Sequence, residues 1–552
     1  MESQRGLLFV ALLVVTYLLF NQWQMDNAPI QAPVEVSANT PTANAQENGE
    51  FIPAATGSQT SVNQAATKGG IITITSDVLE LKVDTQGGDI IAANLLAFET
   101  KQGSGVAMPI LTTQGFTFVA QSGLIGAQGP DANPAGRPLY TSAQNNYSLA
   151  SDNDNLVVEL SFSQNGITYI KSFTLTKSKY DVSVDYKIIN SSAVNAEIQL
   201  YGQLKQSTNV DDEDSSMMMP TYRGAAYSTS ETRYEKYDFG DIEDANLKEA
   251  TKGGWVGMLQ HYFVTAWVPN KETNNQLYTR YLDNNGQAVI GFKQPLITVL
   301  PGSEQSLTAT FYVGPKDQDK LEKIADGLDL TVDYGFLWMI SQPLFWLLLF
   351  IQDIVVNWGL AIICITLVVK TLMFPLTKTQ YTSMAKMRKI QPKIAALKER
   401  LGDDKQKMSQ AMMALYKKEK VNPAGGCLPL ILQMPIFLAL YWVFMESVEL
   451  RHAEFGLWIT DLSSKDPFFV LPILMGASML LMQKLQPAMS QDPMQQKMMQ
   501  WMPVFFTFFF LWFPSGLVLY WFISNVITIV QMKIIFRGID KAEDKAKLAK
   551  NN

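Results

Sequence analysis

Apolar stretches long enough to approach or cross a bilayer are concentrated in this chain after residue 334. A helix needs about 20 predominantly apolar residues to span the hydrocarbon of a membrane. Residues 25–333 instead carry 36 Asp and Glu against 20 Lys and Arg, whereas the rest of the chain carries 15 against 24. An acidic block beside a basic, apolar block predicts a soluble domain joined to a membrane domain, each facing a different medium.

The N-terminus holds a separate apolar run at residues 7–20, which follows Arg5. Such a run is either a signal peptide or a short anchor. Bulky Trp23 and Met25 stand where a cleavage site would need small residues, so we predict an uncleaved transmembrane anchor over residues 1–24 with its N-terminus inside. Residues 25–70 are rich in Ala, Thr, Asn, Gln, Ser and Pro, which predicts a flexible linker.

Short alternating runs between turn residues dominate residues 71–313. This pattern predicts many short strands and a large antiparallel sandwich, which we place over residues 71–333 with a closing helix at 317–327. The chain has two cysteines, Cys364 and Cys427, and both lie in the apolar part, where we expect them to pack as small apolar residues. The sandwich must therefore be stable through core burial alone. The clearest strands are residues 71–75, 156–160, 180–186 and 307–313.

The chain meets the membrane again after the sandwich. Residues 334–352 are apolar but interrupted by Ser341, Gln342 and Pro343, so we predict an interfacial amphipathic helix there. Residues 353–376 supply transmembrane span 2. Residues 377–422 contain twelve Lys and Arg against four acids, with apolar residues at helical spacing on both sides of Gly402. They predict a basic helical hairpin, which the positive-inside rule places in the cytoplasm.

Residues 423–536 complete the membrane part with spans 3–6. Apolar runs cover residues 428–445, 468–482 and 499–530. The last would reach about 48 Å as one helix, against about 30 Å of hydrocarbon, so we predict that residues 513–516 divide it into two short helices. The basic tail, residues 537–552, then lies in the cytoplasm. Six spans result, with both termini cytoplasmic and residues 25–333 outside.

Lys370 lies about 13 residues after Asn357, near which the apolar run of span 2 starts, and thus toward the cytoplasmic side. A lysine at that depth costs a few kcal/mol on insertion scales. One interpretation is that its side chain snorkels to the cytoplasmic headgroups. The other is that it faces a wet cavity, since Asp353 is about 17 residues away and no acid in the membrane part is placed to neutralise Lys370. The same lack of an acidic or histidine partner argues against a proton relay.

Neutral hydrogen-bonding residues in the predicted spans support the wet cavity. Ser524 and Thr528 are four residues apart and thus share one helix face. A cation facing several such groups predicts a water-filled groove open to the cytoplasm. The groove residues that we predict are Lys370, Thr366, Gln433, Ser524, Asn525 and Thr528.

Methionine is unusually frequent between residues 434 and 502. Flexible, polarisable methionine side chains suit a surface that accepts varied apolar partners. Ordinary packing against lipid explains any single one of these residues equally well. The aromatic run at residues 505–510 is likewise open to interpretation as lipid or bundle contact.

Five short segments of the membrane part carry a resemblance to a known family. They are residues 375–387 (PLTKTQYTSMAKM), 422–427 (NPAGGC), 433–437 (QMPIF), 492–497 (DPMQQK) and 513–520 (FPSGLVLY). Together they closely resemble the YidC/Oxa/Alb family of membrane protein insertases, in the Gram-negative form with a large periplasmic domain. The likeness covers the whole chain in architecture and is most specific between residues 342 and 537.

The resemblance implies a polytopic α-helical membrane protein of six spans, with a periplasmic antiparallel β-supersandwich like that of galactose mutarotases and a cytoplasmic helical hairpin. It implies a groove that holds one positive charge and is open to cytoplasm and lipid. Nascent membrane proteins, Sec translocon components, the ribosome and membrane lipids are the implied partners. The family usually has arginine where this chain has Lys370. The ribosome-contacting residues would be Lys386, Arg388, Lys389 and Lys393.

We hypothesise that a hydrophilic segment rests near Lys370 while the following apolar helix slides into lipid along Met434, Phe437, Phe505 and Tyr520. We expect no enzyme activity, no cofactor and no direct small-molecule substrate. We also expect no nucleotide requirement, since the sequence has neither a phosphate-binding Gly-x-x-x-x-Gly-Lys-Ser/Thr loop nor an acidic magnesium site. Two rival hypotheses use the sandwich: a sugar-binding sensor or transporter, and a sugar-modifying enzyme. Only one histidine, His261, falls in that domain.

Overall fold

The computed structural model describes residues 49–55, 62–65, 70–133, 136–209, 221–283, 286–401, 405–419, 428–485 and 493–551. The predicted N-terminal anchor lies outside these residues. The described chain divides into two compact units. The first comprises Gln46–Phe345 with Ala439–Ser464, and the second comprises Trp346–Leu438 with Lys465–Asn552.

The first unit is built on two large β-sheets. Strand positions alternate between buried and partly exposed along Ile167–Thr176 and Asp181–Asn190, as a strand with one core-facing side requires. The nine-stranded sheet contains, in spatial order, β15 (Glu235–Tyr237), β14 (Gly224–Ser228), β17 (Trp255–Leu259), β18 (Phe263–Pro269), β22 (Glu304–Pro315), β12 (Asp181–Asn190), β11 (Ile167–Thr176), β10 (Asn155–Gln164) and β8 (Thr141–Ser142).

The second sheet has eleven strands, and among its described pairs only β3 (Ile71–Thr75) with β9 (Asn146–Ser148) is parallel. The four strands that the sequence predicted most clearly correspond to β3, β10, β12 and β22, which confirms those predictions. The order is β16 (Lys248–Lys252), β19 (Asn274–Leu282), β20 (Gln287–Lys293), β13 (Ala196–Ser207), β7 (Phe118–Ile125), β5 (Asp89–Glu99), β4 (Leu79–Asp84), β3 (Ile71–Thr75) and β9 (Asn146–Ser148), with β21 (Ile297–Val299) on β13 and β6 (Ala107–Leu111) on β5.

One hydrophobic core joins the inner faces of both sheets. Trp267 of β18 packs against Phe292 of β20, with ring centroids 6.3 Å apart, and its indole nitrogen donates to the carbonyl of Gln203 at 3.2 Å. The predicted closing helix is present as α2 (Gln318–Ile324), whose first turn is capped by the Asp317 carboxylate. A shorter helix, α1 (Phe239–Asp244), lies between β15 and β16.

A short hairpin occupies part of the segment for which the sequence predicted a flexible linker. Strands β1 (Gly49–Ile52) and β2 (Val62–Ala65) pair antiparallel. Ile52 is buried against Ile125 and Tyr201 of the sandwich, and Gln203 Nε2 donates to the carbonyl of Phe51 at 3.0 Å. Tertiary contacts therefore order these few residues although their local composition is polar.

Residues 439–464 pack with the sandwich, although the sequence grouped them with spans 3–6. Arg451 Nη2 donates to the carbonyl of Glu99 at 2.6 Å, and Gln102 Nε2 donates to the carbonyl of Thr460 at 2.8 Å. Val448 joins the sandwich core. The first unit is thus completed by a segment far away in the sequence.

Eight further helices make up the rest of the described chain. The first of them runs unbroken through Pro343, because a proline in its second turn removes one backbone hydrogen bond without ending the helix. They are α3 (Trp338–Val355), α4 (Trp358–Leu372), α5 (Phe374–Leu401), α6 (Lys405–Lys418), α7 (Leu428–Glu446), α8 (Val470–Leu485), α9 (Pro493–Phe509) and α10 (Ser515–Asn551).

Two described helices are long and apolar enough to cross a membrane, Gly335–Val355 and Ser515–Lys541. The pair α4 and α5, bent by 63°, would make a third. Val470–Leu485 and Gln500–Trp512 are shorter apolar helices. The six-span arrangement therefore stays a prediction, as does the interfacial position of residues 334–352.

The predicted break near residue 513 lies between α9 and α10. The final helix is not short, however, since α10 continues for 37 residues through the segment predicted as a tail. Helices α5 and α6 pack as a hairpin around Ile390 and Ile394, and Lys393 pairs with Glu419 at 2.7 Å. The bend before this hairpin falls at Met373, between α4 and α5.

Candidate functional site

Lys370 is the central residue of the candidate site. It lies in the last turn of α4, a helix that begins after Asn357, whose side chain accepts from the backbone N–H of Leu360 at 2.9 Å. The residue is only 7% exposed. Its ammonium donates to the Thr528 hydroxyl of α10 at 3.1 Å and forms no ion pair with any carboxylate in the described ranges. A cation is therefore held between apolar helices by a neutral partner.

A polar stripe on α10 faces this lysine. The Thr528 hydroxyl also donates to the carbonyl of Ser524 at 2.7 Å, which fixes its rotamer. Gln531, one turn further on, donates from Nε2 to the backbone carbonyl of Lys370 at 3.0 Å. Gln531 was not among the residues predicted from the sequence, although its spacing of three residues from Thr528 places it on the same face.

The other predicted groove residues are only partly brought together. Asn525 donates instead to Ser478 of α8 at 3.0 Å, a residue that the sequence analysis also missed. Thr366 is fully buried and donates to the carbonyl of Ile362 in its own helix at 2.5 Å. Gln433 is half-buried on α7, and no hydrogen bond within the described chain joins it to Lys370.

An apolar cleft of about 370 Å³ lies beside this polar stripe. It is lined by Leu367, Thr371 and Phe374 on one side and by residues of α10 on the other. Gln531 also lines it, and the buried Oε1 atom of this side chain has no hydrogen-bond partner among the described residues. None of the six predicted groove residues is among the residues that line this cleft.

The predicted slide residues differ in exposure. Met434 and Phe505 are exposed, and Phe437 is half-buried. Tyr520 is only 5% exposed and stacks behind Phe437, with ring centroids 6.1 Å apart. Trp521, which the sequence analysis did not single out, contacts Phe437 edge-on at 4.6 Å.

The four basic residues predicted to contact ribosomes are all exposed on α5. Apolar residues of the same helix pack inside the unit, with Met384 against Met532 of α10 and Ile390 and Ile394 against α6. The four basic residues are Lys386, Arg388, Lys389 and Lys393.

The sandwich contains a buried cluster of charged residues rather than an open titratable site. Arg137 forms ion pairs with Asp89 and Asp131, and Lys171 donates to the carbonyl of Gly88 at 2.7 Å. All four charged side chains are buried. Burial lowers the pKa of Lys171 to about 7, and the nearby Asp89 opposes that shift. No substrate could reach these groups without opening the core, so their arrangement is structural.

His261 is also engaged within the protein. Its Nε2 lies 2.9 Å from the carbonyl oxygen of Met445, and its ring stacks on Tyr262. Across the described residues, no group of His, Cys, Asp and Glu has the arrangement of a metal site.

Comparison with known proteins places this architecture in a family. A family model described as "YidC periplasmic domain" matches residues 71–347, and one described as "60Kd inner membrane protein" matches residues 350–543. The membrane protein insertase YidC of Aeromonas salmonicida (strain A449) is 54% identical over 550 residues, which cover 98% of this chain and 99% of the relative. That of Actinobacillus pleuropneumoniae serotype 7 (strain AP76) is 53% identical over 542 residues, 98% of each chain.

Solved structures give more distant matches. The structure described as "Active YidC insertase crystal structure with the first transmembrane domain resolved" matches with a TM-score of 0.36 and 19% identity, over 88% of this chain and 94% of that chain. A galactose mutarotase-like protein from Lactobacillus casei ATCC 334 matches with a TM-score of 0.30 and 9% identity, over 44% of this chain and 100% of that chain.

The protein has a large sandwich, followed by apolar helices that bury a lysine among hydroxyl and amide groups. These two features define a membrane protein with a large extramembrane domain. Its sequence matches extend over nearly the full length. The chain belongs to the YidC membrane protein insertase family, which confirms the resemblance found in the sequence. Its relatives are named as insertases, a non-enzymatic role, in agreement with the prediction that this chain is not an enzyme.

Proposed function

We propose that this protein inserts membrane proteins into the inner membrane and helps them fold, alone or together with the Sec translocon. In this proposal the chain crosses the membrane six times, with both termini in the cytoplasm and residues 25–333 in the periplasm. The observation that supports it most is the Lys370 ammonium, buried between apolar helices with a neutral hydroxyl as its hydrogen-bond partner.

The proposed groove acts by lowering the free-energy cost of moving a polar polypeptide segment through hydrocarbon. A hydrophilic, often acidic, segment of the incoming protein rests near Lys370, where water and the hydroxyl and amide groups of α10 satisfy its polar atoms. The segment that follows is apolar, and its burial in lipid supplies the driving force. Nucleotide hydrolysis is not needed for this step.

We propose that the emerging helix leaves along an apolar surface beside the groove. Met434 and Phe505 are exposed and can contact it directly, since flexible and aromatic side chains adapt to varied partners. Tyr520 supports this surface from behind, because it is buried against Phe437. The exposed basic residues of α5 would contact the ribosome that delivers the chain.

A lysine suffices for this role because the site uses its charge and one hydrogen bond. Arginine differs from lysine mainly through its planar fork, which binds two acceptors at once. Lys370 has one described side-chain partner, the Thr528 hydroxyl. An arginine at this position would keep the charge and is expected to keep the function.

Reversing the charge at Lys370 tests the proposal. We expect Lys370→Glu, reconstituted in liposomes, to insert a single-span substrate with an acidic tail at least about tenfold more slowly than wild type, because attraction becomes repulsion at short range. Lys370→Arg is expected to insert that substrate at close to the wild-type rate. Protease protection of the translocated tail measures insertion.

Two controls separate the groove from general effects of charge. Lys386→Glu makes the same change on the exposed side of α5 and is expected to leave insertion unchanged in this ribosome-free assay. A substrate with a neutral tail is expected to be affected less by Lys370→Glu. If the Lys370→Glu variant inserts the acidic-tailed substrate at the wild-type rate, the proposed role of the charge is overturned.

Chemical labelling tests whether the groove holds water. In a background with Cys364 and Cys427 replaced by serine, we expect Thr528→Cys to react with a membrane-impermeant maleimide added to the cytoplasmic side. Val530→Cys, on the exposed apolar side of the same helix, is the matched control and is expected to react much more slowly, because it would face lipid. Equal rates would contradict a hydrated groove.

A further inference from the structure

A small polar cavity lies in the sandwich unit, where the chain leaves the sandwich toward α3. Its volume is about 140 Å³, room for about five water molecules. Two lysines and two carboxylates line it together with aromatic side chains. The lining residues that matter here are Tyr234, Lys236, Lys316, Asp333, Trp442 and Glu446.

Two of the residues that line this cavity carry donors that lack a full complement of acceptors in the described chain. Lys316 is 5% exposed, and its closest described partner is the Glu446 carboxylate at 3.7 Å, too far for a good hydrogen bond. The Tyr234 hydroxyl is buried and has no hydrogen-bond partner in the described chain. Buried ammonium and hydroxyl groups are normally paired, so the cavity offers a binding site for an oxyanion.

The charges around the cavity also favour a positive group on the ligand. Lys236 pairs with Asp333 and lies over the ring of Tyr222, while the Glu446 carboxylate has, among the described residues, the distant Lys316 as its only ion-pair partner. Because two lysines are balanced by two carboxylates, a simple anion would leave the site with excess negative charge. A zwitterion keeps the balance, and Trp442 presents an aromatic ring suited to an ammonium.

The neighbouring surface indicates that the ligand comes from the membrane. Gly335 lines the cavity, and the residues directly after it expose large apolar side chains. Phe336 is 79% exposed, and Trp338 and Met339 are also exposed. Such side chains are stable at the boundary between headgroups and acyl chains. The cavity would therefore lie at the level of the headgroups.

We propose that this cavity binds the headgroup of an amine-bearing, zwitterionic phospholipid. Its phosphate oxygens accept hydrogen bonds from Lys316 and Tyr234, and its ammonium group faces Glu446 and Trp442. The bound lipid ties the sandwich unit to the membrane surface. This inference does not depend on the groove around Lys370.

Native mass spectrometry of the full-length, delipidated protein in detergent tests the proposal. We expect one molecule of dihexanoylphosphatidylethanolamine to bind wild type and to bind Lys316→Met at least about tenfold more weakly, since a charge-assisted hydrogen bond and an ion contact are lost. Tyr234→Phe is expected to weaken binding about threefold to tenfold. Lys323→Met, on the exposed side of α2, is the matched control and is expected to bind like wild type.

Two further probes identify what the site recognises. Dihexanoylphosphatidylglycerol, which lacks the amine, and inorganic phosphate are both expected to bind more weakly than the ethanolamine lipid. Equal binding of the glycerol lipid would overturn the recognition of a zwitterion, and equal binding of phosphate would reduce the site to one for an adventitious ion. If Lys316→Met does not fold, the Tyr234→Phe variant tests the proposal instead. This substitution removes a hydroxyl that has no described partner, so it breaks no described hydrogen bond. Unchanged binding by the tyrosine variant would then refute the proposal.

Discussion

At the scale of single residues, the sequence located the buried cation but not its full surroundings. A lysine inside an apolar run is visible without a structure because its cost in lipid demands an explanation. Its partner Thr528 could be predicted from the spacing of polar residues on one helix. Gln433 and Asn525 were predicted for the same groove, yet Asn525 hydrogen-bonds to Ser478 instead. Pairing between helices depends on their rotation, which local spacing does not determine.

Glu449 allows a prediction of pH dependence. It lies in a short turn after α7, where burial, with Asp317 and Asp319 nearby, raises the pKa of its carboxyl to about 7. The native state therefore holds this proton up to a higher pH than the unfolded chain does. Unfolding releases it, so this group makes stability fall as pH rises from about 4.5 to about 7.

We expect Glu449→Gln to remove that fall. At pH 8 the variant should unfold at a temperature about 5 °C higher than wild type, and at pH 4.5 the two should be similar, as measured by differential scanning fluorimetry. Glu322→Gln, an exposed carboxylate on α2, is the control and should change neither value. A parallel pH dependence in wild type and Glu449→Gln would contradict the assignment.

At the scale of elements, strands were predictable and helix contacts were not. Period-two alternation in β10 and β12 reflects one buried face and needs no knowledge of the partner strand. The hairpin of β1 and β2 was missed because its order comes from contacts with Ile125, Tyr201 and Gln203, which are distant in sequence. The same reason explains why residues 439–464 were grouped with the membrane helices.

Helices α8 and α9 approach closely at Gly476. A Cβ atom there would lie 1.8 Å from Thr507 Oγ1 and 3.0 Å from Thr507 Cβ. We expect Gly476→Ala to lower the free energy of unfolding by about 1–3 kcal/mol, because overpacking forces the helices apart. Thermal unfolding in detergent measures the effect.

Two variants test the origin of that loss. Gly476→Ala with Thr507→Ala should recover part of the stability, because the closest clashing atom is removed. Gly538→Ala in α10 meets no atom within 4 Å and should be neutral or stabilising, since alanine favours helix. A similar loss for both single glycine substitutions would show that close packing at Gly476 is not the cause.

At the scale of the whole molecule, the chain forms two units, and the proposed groove lies in one of them. The sandwich has its own continuous core, while the buried lysine and its partners lie in the second unit. This separation distinguishes the proposed insertase from a sugar sensor or sugar-modifying enzyme, in which the sandwich would carry the function.

Deleting residues 71–313 is expected to leave insertion of a simple single-span substrate within about twofold of the wild-type rate in liposomes, because no groove residue is removed. Thermal stability should fall, since Val448 and Arg451 lose their contacts with the sandwich. Loss of insertion by a truncated protein that remains monodisperse would contradict this separation of tasks.

The buried ions of the sandwich limit how this domain can diverge over time. Removing Asp89, Asp131 or Arg137 alone strands an opposite charge in the core, at a cost of about 3–5 kcal/mol. Exchanging the whole set for apolar residues of similar volume is close to neutral. Substitutions here are therefore tolerated jointly rather than one at a time, so that homologous domains are expected either to retain the set or to have lost it together.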